Sequence, residues 1–126
     1  MVRRVIGLTF YDAGLCGRRL GGLMMRRIIR FKPEYLDLIL RGLKTSTIRP
    51  GDGGDYAKEL ILTDGKRRIA AELLAVEVMT LREAVNTRYQ LEGYSSPEEL
   101  YQSIKKIYNN IGPDDPVTII HFNPKT

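Results

Sequence analysis

Within the run Arg27 to Lys32, Ile29 and Phe31 alternate with Arg30 and Lys32, and that period of two predicts a strand. The period then lengthens. Tyr35, Leu36, Ile39 and Leu40 recur at helical spacing after Pro33, a residue suited to a first helical position, so a helix is predicted over 33–41. Gly42 stands where a left-handed cap belongs, and Leu43 is placed to contact the helix it follows. Thr45 to Arg49 is β-prone and ends at Pro50.

Further along, Ala57 to Thr63 and Arg67 to Met79 read as two strands joined by the hairpin signal Asp64-Gly65. On the longer one, Ile69, Ala71, Leu73, Ala75 and Glu77 are expected to share a face. Thr80 to Glu83 spells a capping box before a short helix reaching about Tyr89, and Ser96-Pro97-Glu98-Glu99 spells another. The second helix is expected to bury Leu100, Ile104, Ile107 and Ile111 before Gly112-Pro113 stops it, and Val117 to Phe122 closes the chain as a strand. The order is β-α-β-loop-β-β-α-α-β, an α+β pattern most economically packed as a mixed, barrel-like sheet with helices outside it.

Length fits one domain of 126 residues, large enough to bury its own core. Residues 26–126 are taken as that domain. Residues 1–25 differ: Val5 to Tyr11 could form a short strand, but the glycine-rich stretch after it has no period. A signal sequence is disfavoured by the glycines and Asp12 that interrupt it. A basic arm touching phosphates is one reading, and an extension outside the fold is preferred, with Met24 or Met25 as the native start.

Charge sharpens this division. The net charge is +5, yet residues 1–30 hold seven arginines against Asp12, whereas residues 31–126 hold thirteen basic and fourteen acidic side chains. The body of the domain is therefore not a broad polyanion-binding surface, and individual cations in it matter. No apolar run is long enough to span a bilayer. The single cysteine, Cys16, excludes an intrachain disulfide, and with the single histidine, His121, it makes a Cys/His zinc site improbable. A cytoplasmic setting is expected, with no membrane, metal or cofactor.

The candidate chemistry is concentrated in Lys44-Thr45-Ser46-Thr47-Ile48-Arg49, at a helix-to-strand junction. Lys44 and Arg49 can hold an anion or a carbonyl, and the hydroxyls can donate to a ligand. The loop from Gly51 to Asp55 is glycine-rich, but neither a lysine-serine pair nor a helix start follows it, so it is read as a plain turn and not a phosphate loop. On a regular strand Lys44 and Thr47, three residues apart, would face opposite ways; they meet only if Lys44 still belongs to the turn after Gly42. Arg49 has the plainer alternative of pairing with Glu77, Tyr94 and Tyr108 that of packing, and His121 is given no role.

Gly42-x-Lys44-x-x-Thr47-x-Arg49, followed by Gly51-Asp52, by Glu92-Gly93-Tyr94 through Leu100, and by Ile120-x-Phe122, resembles the ASCH domain family, which is PUA-like. The resemblance covers about residues 27–124. It implies a PUA-like mixed β-barrel of about five to six strands with flanking helices, and a cleft that takes RNA or a free nucleoside or nucleotide. Some small members are N4-acetylcytidine amidohydrolases, whose proposed catalytic lysine, threonine and glutamate fall on Lys44, Thr47 and Glu92. In that reading Thr47 attacks, a desolvated Lys44 with a lowered pKa takes its proton, and Glu92 orients the lysine or serves the leaving amine. Ligand contacts would then come from Lys44, Thr45, Ser46, Thr47 and Arg49. A domain that senses a small metabolite is a third, weaker class.

Overall fold

A computed structural model describes residues 4–7 and 26–125. The elements are β1 (Arg4–Gly7), β2 (Arg26–Arg30), α1 (Pro33–Leu40), β3 (Ser46–Pro50), β4 (Tyr56–Thr63), β5 (Arg68–Thr80), α2 (Leu81–Arg88), α3 (Pro97–Ile107) and β6 (Pro116–Pro124). One mixed sheet runs β2-β4-β5-β6-β3, with β1 paired antiparallel to the later half of β5. Among the described strands only β2–β4 is parallel. The described residues form an α+β, PUA-like curled half-barrel with three helices. Of the expected N-terminal extension, residues 1–3 and 8–25 lie outside the described residues, and Arg4–Gly7 is described as the strand on β5.

The sheet's two ends, β2 and β3, curl towards each other. Arg49 of β3 spans the seam, its Nη2 donating to the Arg30 carbonyl at 2.9 Å. Its guanidinium carbon lies 5.2 Å from the Phe31 ring centroid, a cation–π contact that adds to the clasp. The expected alternative pairing with Glu77 does not occur.

Two apolar clusters fill the two faces of the sheet. Alternation along β6 sends Ile120 and Phe122 into one, with Ile29, Phe31, Leu36, Ile39 and Leu62. It sends Val117 and Ile119 into the other, with Ile48, Met79, Leu81, Leu100 and Ile104. On β5 the expected face holds through Ile69, Ala71 and Leu73. A register shift between Leu73 and Ala75 opposite β6 then inverts it, so Val76, not Ala75, is the fully buried residue that follows.

The first predicted helix ends at Leu40, one residue early, and α3 ends at Ile107, which is exposed rather than buried. Leu43 is also exposed; its backbone, not its side chain, makes the close packing there. The first capping box forms in full and the second only in part, since the Glu99 carboxylate takes the Ser95 amide and not that of Ser96. Thr80 Oγ1 accepts from the Glu83 amide with the reciprocal Glu83 contact, and Ser96 Oγ accepts from the Glu99 amide.

Glu77 of β5 is buried and accepts from Arg88 Nε and Nη2, at 2.9 and 2.7 Å, while His121 Nε2 lies 2.8 Å from Oε1. The cluster ties the end of α2 to β5 and β6. Hydrogen bonding from Arg88 holds the Glu77 carboxyl at about 2, against the opposing effect of burial and with His121 adding to it. Because the folded value lies below the ordinary 4.5, this stabilisation is complete above pH 4.5 and is lost as pH falls towards 2. Glu77→Gln should therefore flatten the fall in Tm across that acidic window, as read by thermal melts of the two proteins. Parallel curves would mean that Glu77 is not the group titrating.

Candidate functional site

The junction after α1 is built by its cap. Gly42 takes φ +78°, a left-handed conformation open to glycine at little cost. The chain reverses so that the amides of Leu43 and Lys44 both reach the Leu38 carbonyl, at 2.9 and 3.3 Å. Lys44 thus belongs to the turn, and β3 begins two residues later at Ser46.

A second turn, between α2 and α3, packs directly on the first. The Thr45 amide donates to the Leu91 carbonyl at 2.8 Å. Gly93 has φ +90°, and a Cβ built there would lie 3.3 Å from the Leu43 carbonyl oxygen. Only a residue without a side chain allows this approach comfortably. The apposition delivers Glu92 to Lys44.

Lys44 Nζ donates to Glu92 Oε1 at 2.8 Å, and Ser46 Oγ donates to Oε2. Lys44 is 5% exposed and Glu92 2%. A buried carboxylate is tolerated only where its charge is matched and its lone pairs are filled, and here one lysine and one hydroxyl do both. Lys44 Nζ also lies 5.7 Å from the Tyr35 ring centroid.

Lys44, Thr47, Arg49 and Glu92 all line one cavity of about 290 Å³. It opens where the two apolar clusters meet. Phe31 comes from one; Ile48, Leu100 and Ile104 come from the other. Because β3 is an edge strand, residues of both its faces reach the cavity: Thr47 and Arg49 from one, Ile48 from the other. Thr45 does not line it. Its side chain is exposed, on the outer side of the junction, and Ser46 is committed to Glu92. The hydroxyl run is therefore divided by role, and Thr47 alone of the three lines the cavity.

Sequence reasoning missed a group of three hydroxyls on the opposite wall. Tyr35 Oη lies 3.0 Å from Ser103 Oγ, Tyr94 Oη lies 2.6 Å from the same oxygen, and Tyr94 donates towards Tyr35 at 3.4 Å. Burial, with the neighbouring Tyr35, pushes Tyr94 up to about 12 even though Ser103 opposes it. Burial acts the same way on Tyr35, but hydrogen bonds from Ser103 and Tyr94 and the charges of Lys32 and Lys44 outweigh it, so its net shift is downward. Tyr35 had been assigned to the apolar face of a helix and Tyr94 to packing. Ser103 carried no signal beyond its helical spacing in α3.

The arrangement is a cleft with a buried polar cluster in its wall, set in an α+β, PUA-like half-barrel. More specifically, the fold is ASCH-like. ASCH from Zymomonas mobilis superposes with a TM-score of 0.59 at 14% identity, covering 77% of this chain and 68% of that one. An ASCH domain from Lactobacillus crispatus JV V101 does so with a TM-score of 0.59 at 15% identity, covering 79% of each. A hypothetical protein, PH0355, gives 0.65 at 19% identity over 80% of this chain and all of its own. No protein-family model and no curated protein matches the chain. Among the described residues no helix is long and apolar enough to cross a membrane.

Proposed function

We propose that the cavity binds a nucleoside unit, free or within RNA. The observation that supports this most is that Lys44, Thr47, Arg49 and Glu92 line one cavity whose remaining walls are largely apolar and aromatic. Its size, about 290 Å³, is at the lower end of small-ligand pockets, roughly 300 Å³ and upwards. Such a pocket admits one base and sugar, not a folded helix. Tyr35 and Tyr108, both half-buried in the lining, offer ring surface for a base, and the polar set offers directed hydrogen bonds to its edge.

A second reading is favoured by the presence of Thr47 in the same cavity lining as the hydrogen-bonded Lys44 and Glu92: hydrolysis of the acetyl amide of N4-acetylcytidine. With the proton of the Lys44–Glu92 hydrogen bond on Glu92, Thr47 Oγ attacks the acetyl carbonyl carbon and the Lys44 amine takes the Thr47 proton. Glu92 then protonates the exocyclic nitrogen as the C–N bond breaks, leaving cytidine and an acetyl ester on Thr47. Water attacks that ester, giving up one proton to Glu92, and acetic acid leaves as Lys44 returns its proton to Thr47, then ionises in solvent to acetate.

Both readings are tested by titrating nucleosides into the protein calorimetrically, then incubating it with N4-acetylcytidine and following cytidine and acetate by chromatography. Saturable binding supports the first reading, and catalytic release of acetate supports the second. Binding without product at high protein concentration leaves the binding reading and removes the hydrolase. Neither binding nor product removes both.

A further inference from the structure

We propose that Arg30, Lys32 and Arg49 form a phosphate subsite at the mouth of this cavity, so that the ligand enters as a nucleotide and not as a bare nucleoside. This rests on the nucleoside reading of the cavity and adds to it the charge of the ligand.

Among the described residues four cationic side chains line the cavity, Arg30, Lys32, Lys44 and Arg49, and one carboxylate, that of Glu92. Lys44 is spent on that carboxylate. No other carboxylate among the described residues lies within ion-pair distance of the remaining three cations. The cavity is therefore locally positive in a body whose residues 31–126 are close to neutral overall. A low-dielectric wall with uncompensated cations focuses the field on an anion entering it.

Arg49 adds a directional term. One Nη is engaged with the Arg30 carbonyl, and the ring of Phe31 lies beside the guanidinium. Its Nε is buried and has no hydrogen-bond partner among the described residues. A buried donor left so is costly, and a guanidinium offers five N–H donors in a plane suited to phosphate oxygens. Arg49 Nη1 makes no hydrogen bond among the described residues and is not buried, so a phosphate oxygen can reach it and would bind it more strongly than a neutral sugar hydroxyl would. Arg30 and Lys32 are exposed at the mouth, where long cationic side chains can follow a ligand in. The uncharged end of the cavity, at the neutralised Lys44–Glu92 pair, is left for the base.

The test compares the four nucleosides with their 5′- and 3′-monophosphates and with dinucleoside monophosphates, by calorimetry at low salt. A monophosphate should bind roughly tenfold to a hundredfold more tightly than its nucleoside, the range expected of charge-assisted hydrogen bonds. The ratio should shrink as salt is raised. A preference for the monoesters assigns a terminal phosphate, and a preference for the dinucleoside monophosphates assigns a phosphodiester within a strand. Arg30→Ala and Lys32→Ala should each narrow the ratio, whereas Lys125→Ala, which removes a cation paired with Glu59 elsewhere, should leave it unchanged. Arg49→Ala also removes the seam contact, so the two exposed cations carry the mutational arm. Equal affinity for nucleoside and nucleotide overturns the subsite and leaves the cavity's nucleoside reading standing. Absence of binding to any of them overturns both.

Discussion

Glu92→Ala should cost about 3–5 kcal/mol of folding stability, the range for breaking a buried ion pair by removing one partner. The cause is what the substitution leaves behind. Lys44 is 5% exposed, and without Glu92 its ammonium has no counter-ion and little contact with bulk water. Ser46, fully buried, loses its acceptor at the same time. Urea denaturation should show the loss as a lower midpoint with an unchanged slope. Lys44→Met should be costly for the mirror reason, an uncompensated carboxylate. Lys44→Met combined with Glu92→Leu should recover much of the loss, because burying two apolar side chains avoids desolvating two charges. If either single variant stays within about 1 kcal/mol of the parent, the pair is solvated in solution and is not the buried element described here. Recovery of stability in the double variant without recovery of ligand binding would separate the pair's structural role from its role in the cavity.

That experiment bears on how the site is encoded. Lys44, Thr47 and Arg49 lie in one short run and were legible from residue type and from the glycine that ends the helix before them. Glu92 was legible only through the resemblance to ASCH domains; its distance along the chain hides it from any local pattern. What brings it to Lys44 is the contact of two turns, and the signs of that contact in sequence are two glycines, Gly42 and Gly93, both left-handed. The three-hydroxyl wall was not legible, because Tyr35, Tyr94 and Ser103 each satisfy a simpler description as helix-face or linker residues. The strands and helices followed their periods well, since burial on one face imposes them. The exception on β5 came from a bulge, which shifts parity by one residue without leaving any mark in composition. The charge count was informative in a way that emerged only with the fold: a neutral body allows three cations at one cavity to dominate their surroundings.

Thr47→Ala should separate the two readings of the cavity most sharply. Thr47 is 5% exposed, on an edge strand, and lines the cavity, whereas the neighbouring hydroxyls are turned outward at Thr45 or committed to Glu92 at Ser46. As a binding contact its hydroxyl is worth about one neutral hydrogen bond, roughly 0.5–1.5 kcal/mol, so nucleoside affinity should fall by no more than about tenfold. As a nucleophile it is indispensable, and any deacetylation by the parent should fall by about a thousandfold or more while affinity for the nucleoside product changes as little as before. Thr47→Ser keeps the attacking oxygen and should retain measurable turnover; Thr47→Val keeps the β-branched shape that β3 favours and should not. Folding should be nearly unaffected in the serine and valine variants, so far-UV circular dichroism and melts serve as controls. A parent that deacetylates N4-acetylcytidine and a Thr47→Ala variant that does so equally well would leave the chemistry with Lys44 and Glu92 acting on a bound water, and Thr47 would then be only a wall of the pocket.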